Sequence, residues 1–196
     1  RGHDLECRLH DVLAEMWDGS PSSQRMTKAA FIALAIDVEL AVEQRVQTVD
    51  TQVVGAIRQL RESGFTCWVV SDFYFGKELF LRLLDHHGIA DLFANIEVSS
   101  ERLSTKRSGK LYRQIVSDSG LPPPHILMIG DNAHSDVVSA RCNGLQTIHL
   151  DRSAQYSLYE RLTRQSNDIT HIEGVLDGIL SNQNVVFREL ALTLHF

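Results

Sequence analysis

From Thr51 to Leu150 one kind of unit alternates along the chain without an internal sequence repeat, a helix-patterned stretch closed by glycine leading into a short strand-patterned run. Asp50 or Thr51 can cap a helix whose apolar positions Val53, Val54, Ile57 and Leu60 share one face, and Gly64 suits the position just past its end. Thr66 to Val70 then reads as a buried strand. The unit recurs: a helix through Leu79, Phe80, Leu83 and Leu84 stops at Gly88, and a strand centres on Ile96 to Val98. A helix follows through Leu111, Tyr112, Ile115 and Val116. After "GLPPP" comes the apolar run Ile126 to Ile129, then a helix from Val137 to Cys142 stopped by Gly144, and a strand from Gln146 to Leu150. Strands alternating with helices imply parallel pairing through right-handed crossovers, hence a three-layer α/β fold built on a parallel sheet.

Ahead of this unit, Asp4 to Gln47 carries helical patterning broken by the loop "DGSPSSQ", and Met26 to Val42 has no internal glycine or proline. The organisation expected is a small helical lobe at 1–48, an α/β core at 49–152 and a mostly helical tail at 153–196, patterned through Tyr156, Tyr159 and Leu162. A length of 196 residues suits one domain with an appended lobe. The net charge of −6, with no basic block, argues against a surface that tracks nucleic acid or an anionic membrane, and points to small molecules or metal ions as partners. Cys7, Cys67 and Cys142 are too scattered for a zinc site and too few for a disulfide framework. No apolar run reaches membrane-spanning length and no secretory signal opens the chain, so the cytoplasm is the expected location. The first residue is Arg1 rather than methionine, from which a piece of a longer gene product is expected.

In open parallel sheets, ligands bind beyond the carboxyl ends of the strands. The first core strand delivers Ser71 and Asp72 there. The second is followed, after "SSERLST", by Lys106. The third ends in "IGDNAHSD", which supplies Gly130 at a tight turn, then Asp131, Asn132 and Asp136. Two acids, a hydroxyl and an ammonium at strand ends suit a phosphate and a divalent cation, since carboxylates hold magnesium while Ser and Lys meet phosphate oxygens. Each residue also has an ordinary reading: Ser71 and Asp72 as helix caps, Lys106 as a solvated lysine, Asp131 as a turn residue. His86 and His87 suit a helix end, His134 lies between two of the acids, Trp68 and Cys67 suit the core, and Phe73, Tyr74 and Phe75 suit packing against the lobe. No Gly-x-Gly-x-x-Gly follows any strand, which disfavours a dinucleotide site.

Together "VVSDFYF", "STKRSGKLY" and "HILMIGDNAHSDV" resemble the second, third and fourth motifs of the haloacid dehalogenase-like (HAD) superfamily of aspartate-nucleophile phosphohydrolases. Ser71, Lys106 and Asp131 stand 35 and 25 residues apart, in keeping with that family. "SDFY" and "TKRSGKLY" are most similar to a subgroup of HAD hydrolases found beside or fused to cell-wall glycosyltransferases. The resemblance covers roughly 30–152. It implies a Rossmann-like core with a helical cap lobe, a small phosphorylated metabolite as substrate, and Mg²⁺ as cofactor. Ser71 would bond the transferring phosphoryl group, helped by Asp72. Lys106 would neutralise charge, with Lys110 as a substitute one turn on. Asp131 and Asp136 would hold Mg²⁺, oriented by Asn132.

The family's chemistry begins with an apolar strand ending Asp-x-Asp, whose first acid attacks phosphorus and whose second moves protons. No such strand is evident. Arg1 to Glu6 is too polar, and "GVLDGIL" at 174–180 has valine at 175 where the nucleophile should stand. Three expectations follow: a nucleophile supplied by a segment absent from this chain, an inactive HAD-like binding or structural module, or Asp72 taking over as nucleophile.

Overall fold

The computed structural model describes residue 4, residues 6–19 and residues 26–152. The expected tail and the 174–180 stretch lie outside the described residues. In chain order the elements are α1 (Leu9–Asp18), α2 (Lys28–Val46), α3 (Thr51–Glu62), β1 (Trp68–Ser71), α4 (Lys77–His86), β2 (Asn95–Val98), α5 (Ser99–Arg102), α6 (Lys110–Ser119), β3 (Leu127–Gly130), a π-helical segment (Ala133–Ser139) running into α7 (Ala140–Cys142), and β4 (Gln146–His149). Local chemistry explains the boundaries. The Asp50 side chain accepts from the N–H groups of Gln52 and Val53 at 2.9 and 3.2 Å, starting α3. Gly64 follows that helix at a φ of +88°, which a side chain would resist.

All strand pairing is parallel. β1 runs beside β2 from Trp68↔Asn95 to Ser71↔Val98, and β3 beside β4 from Leu127↔Gln146 to Gly130↔His149. The sequence suggests one continuous sheet; the backbone pairing resolves into two ladders, and side chains join them. Val69 of β1 is buried in one apolar cluster with Phe80, Leu83 and Ile96. Its neighbour Val70 points the other way, into a second cluster with Leu111, Tyr112 and Met128 of β3. Burial on both faces of β1 gives the three-layer α/β arrangement, because successive strand residues face opposite sides.

The N-terminal helices sit on this core. Trp17 of α1 meets Phe31 of α2 with ring centroids 5.3 Å apart, and Leu40 of α2 is buried in the same cluster as Phe80. Among the described residues no helix is long and apolar enough to cross a membrane.

Phe80 is fully buried and meets Phe73 edge-on at 5.7 Å. Phe80→Ala is expected to cost about 3–5 kcal/mol, read from the midpoint of urea unfolding. A loss below about 1 kcal/mol would show that this cluster is not the centre of the core.

Candidate functional site

The carboxyl ends of β1 and β3 bring most of the expected residues together. Ser71 is completely buried at the end of β1, and its hydroxyl has no hydrogen-bond partner among the described residues. Such a group costs about 1–3 kcal/mol if left unmet, so its placement fits a ligand oxygen that completes it. Asp72, next along, accepts from the Lys106 backbone N–H at 2.8 Å. Burial pushes its carboxyl up from the ordinary range, against the opposing pull of the Lys106 and Arg107 backbone donors.

Lys106 is itself buried, 3% exposed, with its Nζ 2.7 Å from Oδ1 of the fully buried Asp136. The pair is an ion contact without hydrogen-bond alignment. The other oxygen of Asp136 accepts from the Asn132 N–H at 3.1 Å. Gly130 makes room for this carboxylate, since a Cβ there would overlap it. Tyr112 Oη donates to the Ser135 carbonyl at 2.9 Å and Ser139 Oγ to the Arg107 carbonyl at 2.8 Å, tying the π-helical segment to α6 and to the Lys106 loop. A π-helical stretch is rare and common at functional sites, and here it carries Asp136.

The remaining expected residues are placed differently. Asn132 uses its side-chain oxygen to cap the π-helical segment, accepting from the N–H groups of His134 and Ser135 at 3.1 and 2.8 Å. Its backbone rather than its side chain holds Asp136. Asp131 is half-buried after β3, its carbonyl 2.9 Å from His149 Nε2 of β4, and His134 is exposed. Asp136 is paired with Lys106, yet its Oδ1 has no hydrogen-bond partner among the described residues. With Asp131 it could hold Mg²⁺, an ion that takes one or two carboxylates and fills its shell with water and phosphate oxygens.

Two acids that the sequence reading set aside enter the site. Asp4 Oδ1 receives the Lys110 ammonium at 2.8 Å, while Oδ2 accepts from the Thr105 N–H at 2.7 Å, the Thr105 hydroxyl at 3.1 Å and the Ser108 hydroxyl. Burial works against its charge, but the bonds from Lys110, Ser108 and Thr105 outweigh it and hold the carboxyl well below the usual range. Glu6 moves the other way. Burial raises it, a hydrogen bond from Ser99 opposes, and the nearby charges of Asp72 and Asp4 push it further up. The missed signal was an acid-x-acid pattern at Asp4-Leu5-Glu6, hidden by a glutamate at the second acid and by polar residues before it.

Two outcomes are expected. Lys106→Met leaves Asp136 buried without its partner and should cost about 3–5 kcal/mol in urea unfolding, with most of that loss regained in Lys106→Met/Asp136→Asn; a single-variant loss under about 1 kcal/mol would contradict the pairing. Asp4 has a depressed folded pKa, so its contribution is complete above the unfolded value of about 3.9 and fades as pH falls through the folded one. The stability gap between the wild type and Asp4→Asn should therefore be present at neutral pH and close progressively below about pH 4, and a gap that does not change with pH would refute this.

Comparison with known proteins bears on the whole arrangement. No curated protein matches the sequence. Among solved structures, a predicted phosphoglycolate phosphatase from Haemophilus somnus 129pt is similar at 17% identity and a TM-score of 0.51, covering 76% of this chain and 65% of that one. A HAD phosphatase from Thermococcus onnurineus is 17% identical at a TM-score of 0.49, covering 74% and 79%. An uncharacterized protein from Listeria monocytogenes serotype 4b is 20% identical at 0.49, covering 53% and 61%. The chain thus spans less than two thirds of the Listeria and Haemophilus proteins. The Haemophilus likeness is one of fold. Residues 9–144 match the haloacid dehalogenase-like hydrolases, more than half of the sequence, and the chain belongs to that family.

Proposed function

We propose that this chain is a phosphohydrolase in which Asp4 is the attacking carboxylate and Glu6 the proton carrier, acting on a small phosphorylated metabolite. The observation that carries this reading is the setting of Asp4, bonded by Lys110, Thr105 and Ser108 on the stretch around Lys106, with a second acid, Glu6, two residues on. Lys110, Thr105 and Ser108 keep Asp4 ionised, as a nucleophile must be, while burial and like charges raise Glu6 above its ordinary value. Paired acids driven apart by their surroundings are a basis for assigning acid and base roles.

In this scheme an Asp4 oxygen attacks phosphorus as the bond to the leaving oxygen breaks, and the Glu6 proton goes to that oxygen. Water then attacks the phosphorus of the aspartyl-phosphate, giving its proton to Glu6, and phosphate leaves with Asp4 restored. The buried Ser71 hydroxyl donates to a phosphoryl oxygen. Lys110, already on Asp4, offsets charge at the attacking group, and Lys106 holds Asp136 and the loop of Asp72 in place. Most of the catalysis would be positioning and charge neutralisation. No step is routed through Mg²⁺.

The test is release of phosphate from an aryl phosphate, with and without added Mg²⁺. Asp4→Asn should lower kcat by at least about 10³-fold, and Glu6→Gln by about 10²–10⁴-fold, in proteins with unchanged circular dichroism. Full turnover in Asp4→Asn would sink the assignment. Phosphate binding by ³¹P NMR without turnover in the wild type would instead favour a ligand-binding module that does no chemistry.

A further inference from the structure

Helix α2 carries large apolar residues on more than one side, more than one buried face requires. Two of its faces are covered. Ile32 and Leu40 are buried, and Phe31 meets Trp17 of α1. The third face is open: Leu34, Val38 and Val42 succeed one another at four-residue spacing and are 53%, 53% and 50% exposed, with Ala41 exposed beside them. Large side chains left in water on consecutive turns form a contiguous patch, and such patches mark interaction sites.

We propose that this face docks against the same face of a second copy of the chain, with the two α2 helices antiparallel across a two-fold axis at Ala41. Charge placement selects this occupant. Asp37 and Arg45 border the apolar stripe, four residues either side of Ala41. A two-fold axis there sets Asp37 of each chain opposite Arg45 of the other, making the patch self-complementary as an isologous interface requires. Both residues can take that role. Asp37 is 68% exposed and reaches Arg82 only at 3.9 Å, and Arg45 is exposed with no ion pair among the described residues. Ala41 at the crossing lets the backbones approach, while Val38 and Val42 fill the seam on either side of it. An anionic membrane is a poor alternative, because a helix that lies on one carries a basic polar face, and α2 instead presents Asp37, Glu39 and Glu43.

Sedimentation equilibrium of the full chain, over concentrations up to about 100 μM, tests this. A dimer is expected. Asp37→Arg, which sets like charges face to face, should weaken it by at least about tenfold in Kd. The exchange Asp37→Arg/Arg45→Asp should restore Kd to within about threefold of the wild type. Val38→Glu should yield a monomer with unchanged circular dichroism. A wild-type chain that stays monomeric throughout, as when another segment of the same chain covers the face, overturns the proposal. So does a dimer whose Kd ignores both Asp37→Arg and Val38→Glu.

Discussion

A buried ammonium beside a buried carboxylate sets the terms for everything around it. Taking Lys106 and Asp136 out of water costs several kcal/mol for each ion, and their attraction offsets this only where the geometry is held and other bonds are satisfied. The neighbouring residues supply those conditions. Gly130 leaves space for the Asp136 carboxylate and the Asn132 N–H bonds its second oxygen. The Lys106 backbone is fixed from below by Asp72, and the adjoining Arg107 carbonyl by Ser139. The three strand ends are therefore joined through one pair of charges. A shift in the π-helical segment would reach Ser71 through Lys106 and Asp72.

Much of the fold is legible in the sequence, because its determinants are local. The Asp50 cap, the Gly64 stop and the four apolar runs each act within a few residues, and the elements appear where those signals fall. The pairing of strands is different. Whether β1 bonds to β3 is decided by geometry across the sheet, and apolar runs that look alike carry no record of it. The two ladders are joined through Val70 and Met128 in one cluster, a contact that only the assembled layers reveal.

The site divides in the same way. Ser71, Asp72, Lys106 and Asp136 could be picked out because strand ends are where a parallel sheet gathers its ligands, and the structure brings all four together. Nothing local distinguishes Asp131, which stands on the same turn as Asp136 yet stays half-buried, from its neighbour. Asp4 and Glu6 were missed for a further reason. The groups that tune Asp4 are Thr105, Ser108 and Lys110, a hundred residues away in the chain, so no window on the sequence contains both the acid and the cause of its acidity. A rule demanding aspartate at both acids after an apolar strand passes over a segment whose electrostatics are set by long-range contacts.

A separate set of contacts runs from helix α2 toward Glu6. Tyr74 Oη donates to Glu43 of α2 at 2.6 Å and to Glu39 at 3.3 Å. Burial and the two glutamates raise the phenol far above its usual range, so it stays a donor throughout the working pH range. Its neighbour Phe73 gives its N–H to Ser99 Oγ at 3.1 Å, and Ser99 is the residue that bonds Glu6. The path from α2 to the raised carboxyl thus crosses one side-chain bond, one peptide step and two bonds through a single hydroxyl. Ser99 is fully buried, and a buried hydroxyl has few alternative partners. Glu6 and α2 thus meet the core through the same short stretch, Phe73 to Tyr74, which lies directly after Ser71 and Asp72 at the end of β1.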